Sequence, residues 1–144
     1  MSKYFVEGAI NPEIISKYLY EQENATETGA DIIFLGRIRA DIIEGKKVRA
    51  IEYSVYQEMA EIEIEKIISQ ISKDFNDINS IKIFHSNGIV EVGKVSLFII
   101  VSGKHRKQAA LACAELVNLI KEKVPVWGKE LVSESDFFWK ENKK

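Results

Sequence analysis

The chain has 144 residues, 46% apolar and 29% charged, the proportions of one globular domain large enough for its own core. Twenty basic residues against 22 acidic ones leave a formal net charge of −2, which excludes broad, charge-driven nucleic-acid binding but not a local cationic pocket. Cys113 is the single cysteine, so no internal disulfide can form. No stretch approaches the roughly 20 apolar residues of a membrane-spanning helix. Met1-Ser2-Lys3-Tyr4 opens no long apolar run, so no signal peptide is expected, and a reducing cytoplasm is the expected setting.

Tyr4 to Ile10 reads as a short strand. Asn11-Pro12 then opens a helix, Asn as cap and Pro at the first helical position, with Ile14, Ile15, Tyr18 and Leu19 on one face to about Glu21. After a polar loop, Gly29 to Arg39 carries the dense run Ile32-Ile33-Phe34-Leu35, expected as a strand buried on both faces. It ends in Gly36-Arg37-Ile38-Arg39, where alternation sets Arg37 and Arg39 on one side and Ile38 on the other. Residues 40–47 form a charged connection. Val48 to Gln57 is the next strand, expected to make a hairpin with the one before it. Glu58 to Phe75 is a helix by the spacing of Met59, Ile62, Ile67, Ile68, Ile71 and Phe75.

Ser80 to Phe84 is a strand, followed by His85 and the turn signal Ser86-Asn87-Gly88, then a bulged or looped segment over 89–93. Lys94 to Ser102 is a strong apolar strand. From Arg106 to Lys123, the stripe Ala109, Ala112, Cys113, Leu116, Val117 and Ile120 predicts a helix with Lys121 and Lys123 on its opposite margins. Val124-Pro125 ends it, Val126 to Val132 is apolar again, and 133–144 is a polar tail with the cluster Phe137-Phe138-Trp139. Such a cluster is expected to dock on the body or on a neighbouring subunit. No repeat or linker divides residues 1–144. The element order predicts an α+β domain with a mixed or antiparallel sheet and three main helices.

Dinucleotide, P-loop, serine-elbow and paired-cysteine motifs are absent, and His85 and His105 have no metal-ligand spacing to each other or to Cys113, so no metal is expected. What remains is a cationic set: Arg37, Arg39, His105, Arg106, Lys121 and Lys129. If the strand end at Arg39 meets the turn at His105, these groups converge on an anion. A lysine among cations then titrates closer to neutral pH. The plain alternative is solvated basic turns and lysines that complement a helix dipole.

Five stretches together resemble the large, catalytic subunit of molybdopterin synthase: Gly29 to Arg39 (GADIIFLGRIR), Ile51 to Met59 (IEYSVYQEM), Ile83 to Gly93, His105-Arg106, and Lys121 to Glu130 (KEKVPVWGKE). The likeness runs over nearly the whole chain, and its specificity lies in the combined order of the motifs. It implies an α/β-hammerhead-like fold and a sulfurtransferase that needs no cofactor. It implies a homodimer carrying a small ubiquitin-like sulfur-carrier subunit at each end, a heterotetramer, with cyclic pyranopterin monophosphate as substrate. The carrier's C-terminal thiocarboxylate would supply two sulfurs in turn to make the dithiolene of molybdopterin, in molybdenum cofactor biosynthesis. Carried over by position, Arg37, Ile38, Arg39, His105 and Arg106 hold substrate, and Lys121 stands at the sulfur-transfer centre with Gly128, Lys129 and Glu130 beside it.

The family usually reads Pro-x-Trp-Lys-[Lys/Arg]-Glu, whereas this chain reads Pro125-Val126-Trp127-Gly128-Lys129-Glu130. Either Lys129 takes the role of the lysine missing at Gly128 or the role is unfilled; the expectation is Lys129. The resemblance also implies a basic residue supplied near the C-terminus by the neighbouring subunit, for which Lys140, Lys143 and Lys144 are the candidates. Two competing functions are a non-catalytic adaptor for a ubiquitin-like tail and a small RNA-binding domain. The acidic balance and the lack of aromatics among the arginines weigh against RNA.

Overall fold

A strand without a single charged side chain needs cover on both faces, and Val95–Gly103 has it: all nine residues are buried. The computed structural model describes residues 2–133 and 136–140. In chain order the elements are β1 (Phe5–Glu7), α1 (Glu13–Glu21), β2 (Ala30–Arg37), β3 (Ile42–Ile43), β4 (Lys46–Lys47), β5 (Ala50–Val55), α2 (Gln57–Asp74), β6 (Ile78–Glu91), β7 (Val95–Gly103), α3 (Arg106–Lys123), β8 (Val126–Leu131) and β9 (Phe137–Trp139). The sheet runs β2-β7-β6-β5-β8-β9, with β1 joining β6 in parallel and the other pairs antiparallel. This is an α+β fold.

On one face of the sheet, Ile83, Leu97, Ile99 and Val101 meet Ala60, Ile64, Ile67 and Ile71 of α2 and Ala109, Ala112, Cys113 and Leu116 of α3. The small residues of α3 let it lie close to β7, and Cys113 is buried there. On the other face, Phe98 and Ile100 pack with Ile10, Tyr18, Ile14 and Ile15 around α1. Each fully buried side chain of this size stabilises the fold by about 1.5–3 kcal/mol. The helix ends have local causes. The Asn11 side-chain oxygen accepts the Glu13 N–H at 3.0 Å. The Asp77 carboxylate accepts the His105 N–H at 2.9 Å, where α3 begins. At the far end Pro125 forces Val124 out of the helix, to ψ 128°.

Three expectations are corrected. β2 does not form a hairpin with β5; it pairs with β7 in a register from Ala30–Gly103 to Arg37–Val95. The hairpin in that region is instead β3–β4, inside the charged connection. β2 is also an edge strand with one face open, leaving Ile33 and Leu35 exposed, because the α1 cluster covers β6 and β7 and stops short of it. The turn expected at 86–88 lies within the 14-residue β6. There Gly88, at φ +92°, absorbs the irregularity as the strand changes partner from β7 to β5.

The tail adds a strand: β9 pairs Lys129 with Trp139 and Leu131 with Phe137. Phe137 and Trp139 nevertheless stay exposed.

Candidate functional site

α3 places the two halves of the expected cationic set at opposite ends. His105 and Arg106 stand at its start and Lys121 in its last turn, roughly 24 Å apart at 1.5 Å per residue. The convergence of Arg39 with His105 therefore does not occur within one chain. What does gather is Lys121, Arg39 and Lys140 at the C-terminal end of α3, with His85 and Tyr53 beneath.

Crowding by protein pushes the Lys121 amine below the usual lysine range, and the charges of Lys140 and then Arg39 push it the same way. The residue as a whole shows surface to solvent, while the charge on its amine is disfavoured. A lysine held in this way gives up its proton more readily than a solvated one, which suits it to proton transfer.

His85 is the most perturbed group in the site. Burial lowers its pKa to about 4; its hydrogen bond to the Ser86 carbonyl opposes that shift, and the charge of Lys121 adds to it. Because Nδ1 lies 2.7 Å from that carbonyl, which can only accept, Nδ1 carries the proton and Nε2 is left as an acceptor. Tyr53 meets the ring edge-on at 4.9 Å, and Phe5 lies at 6.0 Å on another side. The Tyr53 hydroxyl, raised in pKa mainly by burial and further by Glu130, donates to Ser96 Oγ at 3.4 Å.

Arg39 is exposed and paired with Asp41 at 3.3 Å. Arg37 donates to the Gly93 carbonyl at 3.3 Å. Ile38 is buried between Ile51 and Val90 and anchors the segment that carries both arginines. At the other end of α3, His105 is exposed but held by Asp77, its Nδ1 3.2 Å from Oδ2. Arg106 is exposed beside it.

On β8, Gly128 pairs with Tyr53 and Lys129 with Glu52. Gly128 and Lys129 therefore present opposite faces. Glu130 shares the Gly128 face and is buried. The Lys129 amine lies over the rings of Phe137 and Trp139, 4.6 and 5.5 Å from their centroids. The face it occupies carries an open apolar cleft of about 460 Å³ lined by Ser54, Val55, Tyr56, Trp127 and Trp139.

Sequence reasoning gave His85 and Tyr53 no role in the site. The signal for His85 was a histidine directly after the apolar strand residues Ile83, buried, and Phe84, partly buried. That for Tyr53 was its place between apolar partners on β5. Lys143 and Lys144 lie outside the described residues. Among the described residues no three His, Cys, Asp or Glu side chains gather as a metal site, and no helix is long and apolar enough to cross a membrane.

The family model described as "MoaE protein" matches residues 10–123. The chain belongs to the MoaE family. The molybdopterin synthase catalytic subunit of Dictyostelium discoideum is 40% identical to it over 144 residues, covering 98% of this chain and 89% of that protein. The catalytic subunit of Pyrococcus abyssi is 37% identical over 115 residues, 80% of this chain and 76% of that one. Among solved structures, molybdopterin synthase from Staphylococcus aureus superposes with a TM-score of 0.84 at 29% identity, covering 99% of each chain. The complex of subunits 1 and 2 of the Helicobacter pylori molybdopterin-converting factor gives a TM-score of 0.78 at 24% identity, a likeness of fold. Membership in the MoaE family makes the chain a sulfurtransferase of the molybdopterin synthase type, and nothing in its structure favours the adaptor reading.

Proposed function

We propose that the chain transfers sulfur from the C-terminal thiocarboxylate of a small ubiquitin-like carrier subunit to cyclic pyranopterin monophosphate, at Lys121. The observation that carries this reading is a lysine, Lys121, whose charge is disfavoured by burial and then by Lys140 and Arg39, in a chain whose relatives are named catalytic subunits of molybdopterin synthase. Both reactants are anions that repel each other in water. Fixed cations hold them together and stabilise the charge that develops between them. Each transfer joins the thiocarboxylate sulfur to a carbon of the pterin side chain and breaks a carbon–oxygen bond there, one oxygen staying on the phosphate as the cyclic ester opens and the other leaving as water. Water then takes the sulfur's place on the carrier, whose C-terminus is left as a carboxylate. Lys121 moves the proton that each step requires, and Arg39 with Arg37 receives the phosphate.

His105 and Arg106 enter this reading only through a second subunit. They are too far from Lys121 along α3 to share its site, and Asp77 caps the His105 N–H, but the exposed Arg106 at the helix start carries a cation that can meet an anion from outside. In a symmetric dimer the α3 start of one subunit would complete the Lys121 site of the other, and one carrier subunit at each site gives a heterotetramer. A cytoplasmic setting fits the reading, with Cys113, the one thiol, packed against the sheet.

The test is reconstitution: the full chain, thiocarboxylated carrier and cyclic pterin phosphate, with product followed by mass spectrometry. Wild type converts substrate to the dithiolene. Lys121→Ala, folded by circular dichroism, loses turnover by about a hundredfold or more. Near-normal turnover in Lys121→Ala would remove Lys121 from the mechanism.

A further inference from the structure

We propose that Asp77 is a positioning residue for His105: it holds the ring so that Nδ1 keeps its hydrogen and Nε2 alone meets the substrate. Its use in the reaction rests on the sulfur-transfer reading and on the two-subunit site; its geometry rests on neither.

Asp77 stands in the turn between α2 and β6, 28 residues before His105 in the chain. The sheet brings the two together. Ile78 at the start of β6 pairs with Gly103 at the end of β7, and the Asp77 carbonyl accepts the Lys104 N–H at 3.0 Å. A Cβ added at Gly103 would lie 3.1 Å from that carbonyl oxygen, so the glycine lets the two backbones approach this closely. The chain leaves β7 past Asp77 and turns into α3 at His105, which is itself still extended at φ −127° and ψ 143°.

The Asp77 carboxylate meets His105 twice. Its Oδ2 accepts the His105 backbone N–H at 2.9 Å. The His105 Nδ1 lies 3.2 Å from the same Oδ2 and 3.3 Å from Oδ1. A carboxylate only accepts, so the hydrogen between them belongs to Nδ1. This holds for the neutral ring and for the imidazolium alike. Nε2 is then the one ring nitrogen that gains or loses a proton, or bonds to a group from outside. The anchor is sheltered and the ring it holds is open: the Asp77 side chain is 17% exposed and that of His105 72%. An ordinary surface pair such as Lys3–Glu65 exposes both partners, at 68% and 53%.

The same carboxylate decides what the helix start can do. It takes up the His105 N–H and sets a negative charge beside the first turn of α3. Contact with an anionic substrate therefore falls to His105 Nε2 and to the neighbouring Arg106, which is exposed. Brought to the Lys121 site of a second subunit, a charged His105 donates from Nε2 to a phosphate or thiocarboxylate oxygen. The bond to Asp77 keeps the ring from turning that nitrogen away.

The experiment uses the full chain as wild type, Asp77→Ala, Asp77→Asn, His105→Ala and the double variant Asp77→Ala/His105→Ala. Histidine is labelled with ¹⁵N. The chain has two histidines, so the loss of signal in His105→Ala assigns His105. NMR then reads which ring nitrogen carries the hydrogen in the neutral form, and single-turnover rates are measured with thiocarboxylated carrier and cyclic pterin phosphate. The proposal requires the hydrogen on Nδ1 in wild type and its move to Nε2 in Asp77→Ala, with turnover slowed about tenfold or more. Asp77→Asn, whose side-chain oxygen still accepts from His105, keeps the Nδ1 form and most of the rate. In the His105→Ala background, Asp77→Ala costs less than about twofold, because it acts through the ring that is already gone. A wild-type ring with its hydrogen on Nε2 overturns the proposal, and so does an equal loss from Asp77→Ala with and without His105. If wild type itself shows no turnover, the sulfur-transfer reading fails, and the NMR still decides whether Asp77 sets the His105 ring.

Discussion

His85 makes the fold acid-labile in a way that one substitution removes. The ring is wedged between Tyr53 and Phe5 and titrates at about 4 in the folded chain, against 6.5 for an unhindered histidine, chiefly because of burial. The folded value lies below the unfolded one. The stabilisation is therefore complete above pH 6.5 and is lost as the pH falls from there through 4. At about 1.4 kcal/mol per pH unit, the loss is about 2 kcal/mol at pH 5 and about 3 kcal/mol near pH 4.

His85→Phe keeps a ring in the same aromatic surroundings but gives up the hydrogen bond to the Ser86 carbonyl, at a cost of about 1 kcal/mol. The variant should be the less stable protein at pH 7.5 and the more stable one at pH 5. Urea unfolding of both proteins from pH 4 to 8, at one fixed concentration, reads this as two stability curves that cross. Carboxylates with depressed values, such as Glu61 and Glu65, act equally in both proteins and cancel in the difference. Parallel curves would refute the assignment of a buried neutral imidazole.

Two further outcomes follow from the same geometry. Mixing subunits of two inactive variants, Lys121→Ala and Arg106→Ala, should restore about a quarter of wild-type activity, because half the random dimers are mixed and each of these carries one intact composite site. Activity that stays at the level of the separate variants would mean that the site does not span two subunits. Phe98, 1% exposed and stacked on Phe84 at 6.2 Å, should cost about 3–5 kcal/mol when truncated to Ala. Chemical denaturation measures this, and a loss under about 1 kcal/mol would show that the α1 face of the sheet is not a packed core.

The local signals were strong where one principle decided the outcome. Asn11-Pro12 and Pro125 bracket α1 and α3 by capping and backbone geometry alone, and the α3 stripe set Lys121 at the margin of the buried face. The sequence reading had His105 and Lys121 converge, although the sixteen helical residues from Arg106 to Lys121 cannot fold back on themselves.

Strand pairing was not legible. β2 and β7 are both apolar runs, and only the reach of α1 decides which of them is buried on both faces. The pairing of Lys129 with Trp139 depends on the β8–β9 register, which a polar tail with three aromatics does not specify. The family pattern drew attention to position 128, yet the next residue along the chain faces the wrong way. His85 shows the same limit: a histidine after a strand reads as the start of a turn until the strand is seen to continue through it.

The most direct test of sulfur transfer at this site follows the sulfur itself. Carrier thiocarboxylated with ³⁴S is mixed with the full chain and unlabelled cyclic pterin phosphate under single-turnover conditions, and the product is weighed. The account predicts a dithiolene with both sulfurs heavy, and no sulfur transfer when Lys121→Ala replaces the wild-type chain. Product with unlabelled sulfur, or labelled product formed equally well by Lys121→Ala, would contradict it.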